Sequence, residues 1–368
     1  MRDGSVTVAL CGDVMLGRGV DQILPCPGDP LLRERYVLDA RGYVDLAEDA
    51  NGPVPRSAGY SWPWGEALAV LAEAAPDARV LNLETAVTRS TDFAPGKAVH
   101  YRMSPDNAPC LVAARPDVCA LANNHVLDFG RRGLVETLDV LARAGLSAAG
   151  AGLDDVQARR PVAVPVPGAG RVLVFSLGTT SSGIPTGWAA TPRRPGVDLV
   201  DELSERSADA VVERVSAARR PGDLVVASVH WGSNWGYDVP PEQVRFAHRL
   251  VDGGVDLVHG HSSHHPRPLE VYRDRVVLYG CGDFVDDYEG IEGYERYRDD
   301  LRVLYLVTLD AVTGRLTGLR MVVFQARRLR LERAAYADVD WLREVLDRES
   351  RRFGIRVEPG RGGVLTLG

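Results

Sequence analysis

The sequence predicts an α/β fold built around a mainly parallel sheet. Short apolar stretches rich in β-branched residues alternate with segments whose apolar residues recur every three or four positions, as in amphipathic helices. Continuous apolar runs indicate strands buried on both faces, and intervening helices let successive strands run parallel. Each such run also ends on a residue that can bind a metal or a proton. Strands are predicted over residues 6–13, 80–84, 118–125, 224–230, 255–261 and 276–283.

The helical segments and two irregular regions set the domain organisation. Residues 25–63 are rich in proline and aromatic residues and lack periodicity, which indicates an inserted loop or cap over the site. Residues 301–310 and 316–324 flank a Thr-Gly turn and predict a hairpin. We therefore expect one domain over 1–325 and a C-terminal extension over 326–368, packed on the same domain. Helices are predicted over 64–74, 134–144, 208–218, 243–251 and 339–352.

Composition narrows the class of protein. A net charge of -7 and a pI near 5.7 give no basic surface for nucleic acid. The five cysteines are scattered without a C-x-x-C pair, which favours neither a disulfide framework nor a thiolate zinc site. No stretch reaches the ~18 apolar residues of a membrane span, and the first strand begins too near Met1 for a signal peptide. We therefore expect no membrane span and a cytoplasmic location.

A cluster of histidines follows the fifth predicted strand. Four of the eight histidines fall within residues 259–265. Gly260 allows close approach of the backbone, so a strand end and a short loop can aim two imidazoles into one site. We prefer His261 and His264 as metal ligands, with His259 and His265 in supporting or incidental places. The alternative is a solvated loop whose histidines bond to the backbone.

Polar residues also end the third predicted strand. The amide oxygen of Asn124 is a neutral metal ligand, and His125 held by the Asp128 carboxylate can donate a proton to a leaving group. The alternative is a strand-to-helix turn in which His125 simply packs. The neighbouring histidine cluster favours the catalytic interpretation.

Carboxylates and a further histidine end the remaining strands. Asp13 and Glu84 follow the first and second, and His230 ends the fourth. Together with the amide and the imidazoles they form an oxygen and nitrogen set suited to two divalent ions such as Mn, Fe or Zn. Taken alone, Asp13 could instead cap a following helix.

The motifs that carry these residues resemble a known family. In their order they resemble the CapA-type poly-γ-glutamate capsule biosynthesis proteins, a branch of the calcineurin-like metallophosphoesterase superfamily. The resemblance covers about residues 5–285 and implies a four-layer α/β/β/α sandwich with mixed sheets, a two-metal site at one edge and a short C-terminal helical extension. The motifs are Gly-Asp-Val-Met-Leu-Gly-Arg at 12–18, Asn-Leu-Glu-Thr at 82–85, Asn-Asn-His-Val-Leu-Asp-Phe-Gly at 123–130, Val-His-Trp-Gly at 229–232 and Gly-His-Ser-Ser-His at 260–264.

The resemblance also implies a role for each matching residue. Asp13 and His264 would bind the first metal, and Glu84 would bridge the two. The second metal would be bound by the residues Asn124, His230 and His261. His125 would be the acid near the leaving group. The chain departs from the wider superfamily at Met15, which occupies the position of a first-metal histidine.

These residues favour a metal-dependent hydrolase that acts on a phosphoester or a γ-glutamyl amide. The alternative is non-hydrolytic binding of a γ-glutamyl polymer as part of a capsule-synthesis complex. Arg18 and Trp231 are candidates for contacting an anionic substrate, although each has an equally simple structural interpretation. A serine nucleophile at Ser262 or Ser263 is disfavoured because the second glycine of a G-x-S-x-G elbow is missing.

Overall fold

The computed structural model describes residues 4–368 and is composed of helices and strands in close alternation. The strands are β1 (Ser5–Val14), β2 (Ala78–Leu83), β3 (Ala86–Val87), β4 (Arg102–Met103), β5 (Val118–Ala120), β6 (Ser147–Ala149), β7 (Ala151–Gly152), β8 (Val162–Val166), β9 (Gly170–Thr179), β10 (Gly196–Val197), β11 (Leu199–Val200), β12 (Leu224–His230), β13 (Leu257–His261), β14 (Leu269–Tyr272), β15 (Arg275–Leu278), β16 (Asp283–Val285), β17 (Leu301–Asp310), β18 (Leu316–Ala326), β19 (Leu331–Arg333), β20 (Val357–Pro359) and β21 (Val364–Leu367). The helices are α1 (Arg18–Ile23), α2 (Arg41–Asn51), α3 (Ala67–Ala74), α4 (Pro109–Ala114), α5 (Gly130–Arg143), α6 (Asp155–Ala158), α7 (Glu205–Ala218), α8 (Pro241–Asp252) and α9 (Tyr336–Ser350).

Two large mixed sheets organise the fold. The first has ten strands in the order β20-β21-β18-β17-β1-β2-β5-β6, with β16 beside β1 and β19 beside β18. The second has seven in the order β11-β9-β12-β13-β15-β14, with β8 beside β9. The strands β1, β2, β5 and β6 run parallel, as do β9, β12 and β13, whereas the β17–β18 hairpin is antiparallel. Each sheet therefore has a parallel half that can present several carboxyl strand ends together.

Three apolar clusters show that the sheets lie in the middle of four layers. Side chains of β1 and β17 in the first sheet pack against those of β9 and β12 in the second. The outer face of the first sheet is covered by α3, α4 and α5. The outer face of the second is covered by α7 and α8. The α/β/β/α sandwich expected from the sequence is confirmed.

The strand registers bring the polar strand ends to one edge. His230 at the end of β12 lies directly beside His261 at the end of β13. At the end of β1, Asp13 lies beside Asn82 of β2 on one side and Asp283 of β16 on the other. Because parallel strands end at the same edge, the two sheets deliver carboxylates and imidazoles to one place.

Four segments differ from the sequence expectation. The predicted strand over 118–125 ends at Ala120, so Asn124 and His125 lie in the turn before α5. The predicted strand over 276–283 divides into β15 and β16, which belong to opposite sheets, because the chain crosses between them at 279–282. The region 25–63 contains the helix α2. The C-terminal region is not only helical, because β21 pairs with β18 and extends the first sheet. Within residues 4–368 no helix is both long enough and apolar enough to cross a membrane.

Candidate metal centre

Two groups of three side chains at this edge have the geometry to hold a metal ion. Asp13, His230 and His261 form the imidazole group, and Asp13, His264 and Asp283 form the carboxylate group. In each group one possible ligand atom per residue lies within 4.8 Å of the others, and all of the residues are buried. Asp13 belongs to both, so the two groups form one centre with a shared carboxylate.

Close packing of β1 against β16 positions Asp13. A Cβ atom on Gly12 would lie 1.6 Å from the carbonyl oxygen of Gly282, so only glycine lets the two strands approach this closely. The amide of Asn82 donates to Asp13 Oδ1 at 2.7 Å. The backbone N–H of Ser262 donates to Asp13 Oδ2 at 3.1 Å, from a residue held at a φ of +99°. A non-glycine residue in this conformation is strained.

In the imidazole group a buried chain of hydrogen bonds fixes the tautomer of His261. Nε2 of His259 donates to the carbonyl oxygen of Cys11 at 2.9 Å, which leaves Nδ1 of His259 to accept from the Ser228 hydroxyl at 3.0 Å. The Ser228 oxygen in turn accepts from Nε2 of His261 at 2.9 Å. Nδ1 of His261 is therefore unprotonated, as a metal ligand requires, and lies 3.8 Å from Asp13 Oδ1.

His230 completes the imidazole group and links it to the third strand end. Its Nδ1 lies 2.8 Å from Nδ1 of His261, and its Nε2 lies 2.9 Å from Oδ1 of Asn124. Glu84 is outside both groups, but its Oε1 lies 3.7 Å from Nε2 of His230 and 3.8 Å from Nε2 of His125. The amide of Asn82 also reaches Glu84 Oε2 at 3.2 Å and so orients both carboxylates.

The carboxylate group is built differently. Nδ1 of His264 lies 3.0 and 3.1 Å from the two oxygens of Asp283, and its Nε2 lies 2.9 Å from the side-chain nitrogen of Asn234, an exposed residue. Burial opposes the charged form of His264, but attraction to Asp283 raises its pKa. One side of this group therefore faces solvent.

The turn between β5 and α5 holds His125. Its Nδ1–H donates to Oδ2 of Asp128 at 2.6 Å, and the backbone N–H of Tyr101 donates to the same oxygen at 2.7 Å. The ammonium group of Lys97 donates to Oδ1 of Asp128 and to the carbonyl oxygen of Asn124. Burial opposes ionisation of Asp128, but His125 and Lys97 together lower its pKa. Burial, assisted by the Lys97 charge, lowers the pKa of His125 to about 4.

The electrostatics of the centre match a cation. Burial and the Asp283 charge raise the pKa of Asp13 to about 7. Burial and Asp13 also raise the pKa of Glu84. Burial lowers the pKa of His230 and His261, whose neutral rings offer lone pairs. A divalent ion would offset the carboxylate repulsion and use those lone pairs, so the residues fit the expected Mn, Fe or Zn.

Two predicted substrate residues are buried in the protein interior. The Arg18 guanidinium is buried between Asp287, at 2.5 Å, and Glu34, at 3.2 Å. It lies over the Tyr101 ring, whose edge contacts His125, so it supports the wall of the site. Trp231 is buried in the core beneath α8, and its indole N–H donates to the carbonyl oxygen of Tyr279 at 2.9 Å. Neither side chain is free to contact substrate in this structure, because each is occupied in the protein interior.

Sequence reasoning missed several residues that orient the ligands. Asp283 ends the last predicted strand, but the motifs that carry the resemblance stop at His264, so they assign it no ligand role. Asn82 and Ser228 have a recognisable signal, since each is a polar residue within an otherwise apolar strand. The signal at Lys97 is compositional, because it is the only lysine in the sequence.

Comparison with known proteins identifies the family. A family model described as bacterial capsule synthesis protein PGA_cap matches residues 7–288. The chain belongs to this family. Residues of the centre from Asp13 to Asp283 all fall within the PGA_cap match. The family expected from the motifs is therefore confirmed.

Relatives in the PGA_cap family cover most of the chain. A probable polyglutamine synthesis accessory protein of Mycobacterium tuberculosis is 57% identical over 353 residues, which are 96% of this chain and 93% of the relative. The PGA biosynthesis protein CapA of Bacillus subtilis is 28% identical over 282 residues, covering 76% and 70%. A crystal structure described as a novel phosphatase of Mycoplasma pneumoniae aligns with a TM-score of 0.46 and 10% identity, covering 87% and 94%. At that TM-score the structural similarity adds nothing to the assignment.

Proposed function

We propose that the protein is a metal-dependent hydrolase that acts on a phosphoester or a γ-glutamyl amide during poly-γ-glutamate synthesis. The observation that carries the proposal is the pair of buried groups that share Asp13. Two divalent ions held there would activate water and polarise a phosphoryl or carbonyl group. The expected ligands are Asp13, Glu84, Asn124, His230, His261 and His264, with Asp283 added by the geometry.

The chain's own residues supply orientation and a proton-transfer group. His125 has its Nδ1–H engaged by Asp128, so its Nε2 faces Glu84 and the centre. In this orientation Nε2 is the atom that can transfer a proton to or from a substrate oxygen or nitrogen. Asp128 holds the ring and is itself held by Tyr101 and Lys97. We therefore assign proton transfer to His125 and its orientation to Asp128.

A second candidate function is non-hydrolytic binding of a γ-glutamyl polymer within a synthesis complex. It is favoured by the relatives' names, which describe an accessory protein and a biosynthesis protein. It is also favoured by Met15, a buried thioether at a position where a histidine would add a ligand. In this function the centre would bind a carboxylate of the polymer without cleaving it.

Turnover and metal content separate the two functions. Protein purified without chelator is analysed for metal and assayed with Mn²⁺, Fe²⁺ or Zn²⁺ on p-nitrophenyl phosphate, bis-p-nitrophenyl phosphate and γ-glutamyl p-nitroanilide. We expect His125→Ala to lower kcat by about 10²- to 10⁴-fold, the usual size of a general acid–base contribution. His248→Ala is the matched control, since His248 pairs with Glu270 far from the centre. Bound metal without turnover on any substrate would favour the binding function, and absence of metal would overturn both.

A further inference from the structure

The chain contains one lysine among 43 lysine and arginine residues. Exposed basic positions on this protein, such as Arg143 and Arg41, are all arginine. The exception, Lys97, is mostly enclosed, with a side chain 16% exposed. Lysine at position 97 is therefore the single departure from a strong bias to arginine.

The groups around the Lys97 side chain suit an ammonium ion. Its ammonium group donates to the carbonyl oxygen of Asn124 and to Oδ1 of Asp128, and it lies 3.2 Å from Nδ1 of His125. The ring of Trp188 lies 5.1 Å away on another side. An ammonium group is a compact point charge whose N–H bonds diverge, whereas a guanidinium is a wide planar fork. The two acceptors, the Asn124 carbonyl oxygen and Asp128 Oδ1, converge on one point, which suits the first shape better than the second.

Lys97 contacts both the part of the turn at 123–128 that carries a candidate metal ligand and the part that holds the candidate proton-transfer group. The residue whose carbonyl it binds, Asn124, places its side-chain oxygen 2.9 Å from His230 in the imidazole group. The carboxylate it binds, Asp128, holds the His125 ring. A single side chain thus fastens a candidate ligand and the candidate proton-transfer group to each other.

We propose that Lys97 is the positioning residue of this centre, fastening the turn at 123–128 so that the Asn124 amide and the His125 imidazole face the metal-binding residues together. The inference rests on the proposed function for its catalytic consequence, but its geometric content stands independently. Lys97 acts through its neighbours and touches no reacting atom. An arginine at this position would keep the positive charge but would not hold the Asn124 carbonyl oxygen and the Asp128 carboxylate together in this way.

The variants Lys97→Arg and Lys97→Met separate shape from charge. Arg143→Lys is the matched control, because it exchanges the same residue types on the exposed face of α5. Each protein is titrated with Co²⁺, whose visible d–d absorption reports the ligand set, and assayed on p-nitrophenyl phosphate. We expect both Lys97 variants to shift the Co²⁺ spectrum and to lower kcat at least tenfold with KM changed less than threefold. Arg143→Lys should match the wild type in both measurements.

The single lysine also gives a readout that needs neither metal nor turnover. Among amines, acetic anhydride can acetylate only Lys97 and the α-amino group, and mass spectrometry assigns each acetyl group to its residue. The fastening predicts that Lys97 reacts at least tenfold more slowly in the folded protein than in protein unfolded with guanidinium chloride, and that Asp128→Asn removes most of this protection. Equal rates for Lys97 in the folded and the unfolded wild type would overturn the inference.

The outcomes distinguish this inference from the proposed function. A wild type that binds Co²⁺ but hydrolyses nothing contradicts the hydrolase, while the spectra of the Lys97 variants still test the fastening. A Lys97→Arg protein with wild-type spectrum and wild-type kcat contradicts the fastening, while the hydrolase stands. If Co²⁺ does not bind at all, the acetylation rates alone decide whether Lys97 is held as described.

Discussion

The two halves of the metal centre are built on different supports. The side chains of the imidazole group lie at the ends of three buried strands. A chain of hydrogen bonds from Cys11 through His259 and Ser228 fixes the tautomer of His261. In the carboxylate group Asp13 and Asp283 lie on β1 and β16, but His264 lies in the loop after β13, where it contacts Asp283 and the exposed Asn234. A site on regular strands is more rigid than one on a loop. We therefore expect the imidazole group to bind metal more tightly, and the carboxylate group to be the more exchangeable half.

The largest effect should follow from removing a ligand of the imidazole group. His261→Ala deletes the ligand atom Nδ1, and it also removes the N–H group that donates a hydrogen bond to the Ser228 oxygen. We expect turnover to fall by at least about 10³-fold, since metal ions contribute several kcal/mol to such reactions. Metal analysis should show that the tightly held ion is lost. Retention of full metal content by a folded His261→Ala protein would break the distinction between the halves.

Changing the carboxylate group should have a smaller effect. Asp283→Asn keeps the shape of the side chain but removes the charge that attracts His264. We expect one metal equivalent to weaken while the other remains, and turnover to fall by about 10- to 100-fold. Calorimetric titration with Mn²⁺ should then show one unchanged and one weakened site. Two sites weakened equally would show that the groups do not act separately.

The buried histidines and the shared carboxylate Asp13 should have opposite effects on the pH dependence of metal-free stability. Burial lowers the pKa of His259 to about 4, below its value in the unfolded chain, so its contribution is present above about pH 6.5 and is lost as the pH falls toward 4. The raised pKa of Asp13, about 7, acts in the other direction, since its contribution is present below about pH 4 and is lost progressively as the pH rises from there to about 7. His125 and His265, with pKa values lowered to about 4, add to the acid limb.

Melting temperatures between pH 5 and 8.5 test this pattern. Three buried histidines oppose one carboxylate below pH 6.5, so protein treated with EDTA should gain stability from pH 5 to about 6.5, and above pH 7 none of these groups changes its stability further. Mn²⁺ should raise Tm most above pH 7, because the ion competes with the proton on Asp13. A metal-free Tm that falls between pH 5 and 6.5 would contradict the assignment of the acid limb to the buried histidines.

The contrast between the halves also explains what the sequence could reveal. The strand-borne residues His230 and His261 were predictable, because apolar runs mark buried strands and parallel strands end together. Asp283 was not, because residues 276–283 read as one strand although the chain passes from one sheet to the other within them. Long-range pairing decides that crossing, and periodicity carries no information about it.

The two substrate candidates show a second limit. Arg18 ends the first motif and Trp231 lies within the fourth, so both have the sequence signature of site residues. In the structure Arg18 forms ion pairs with Glu34 and Asp287. Trp231 packs in the hydrophobic core. A motif residue can be required because it supports the wall of a site, and only the packing distinguishes that from contact with substrate.

The smallest effects should come from the partners that orient each histidine. Ser228→Ala removes a buried hydroxyl bonded to both His259 and His261, and leaving those nitrogens unpaired should cost about 1–3 kcal/mol of stability. Asn234→Ala removes the partner of His264, but water can replace an exposed amide, so the cost should stay within about 0.5 kcal/mol. Urea unfolding of the two metal-free variants measures both values. Equal losses would mean that the carboxylate group is as rigidly supported as the imidazole group, because only a water-excluded partner is costly to lose.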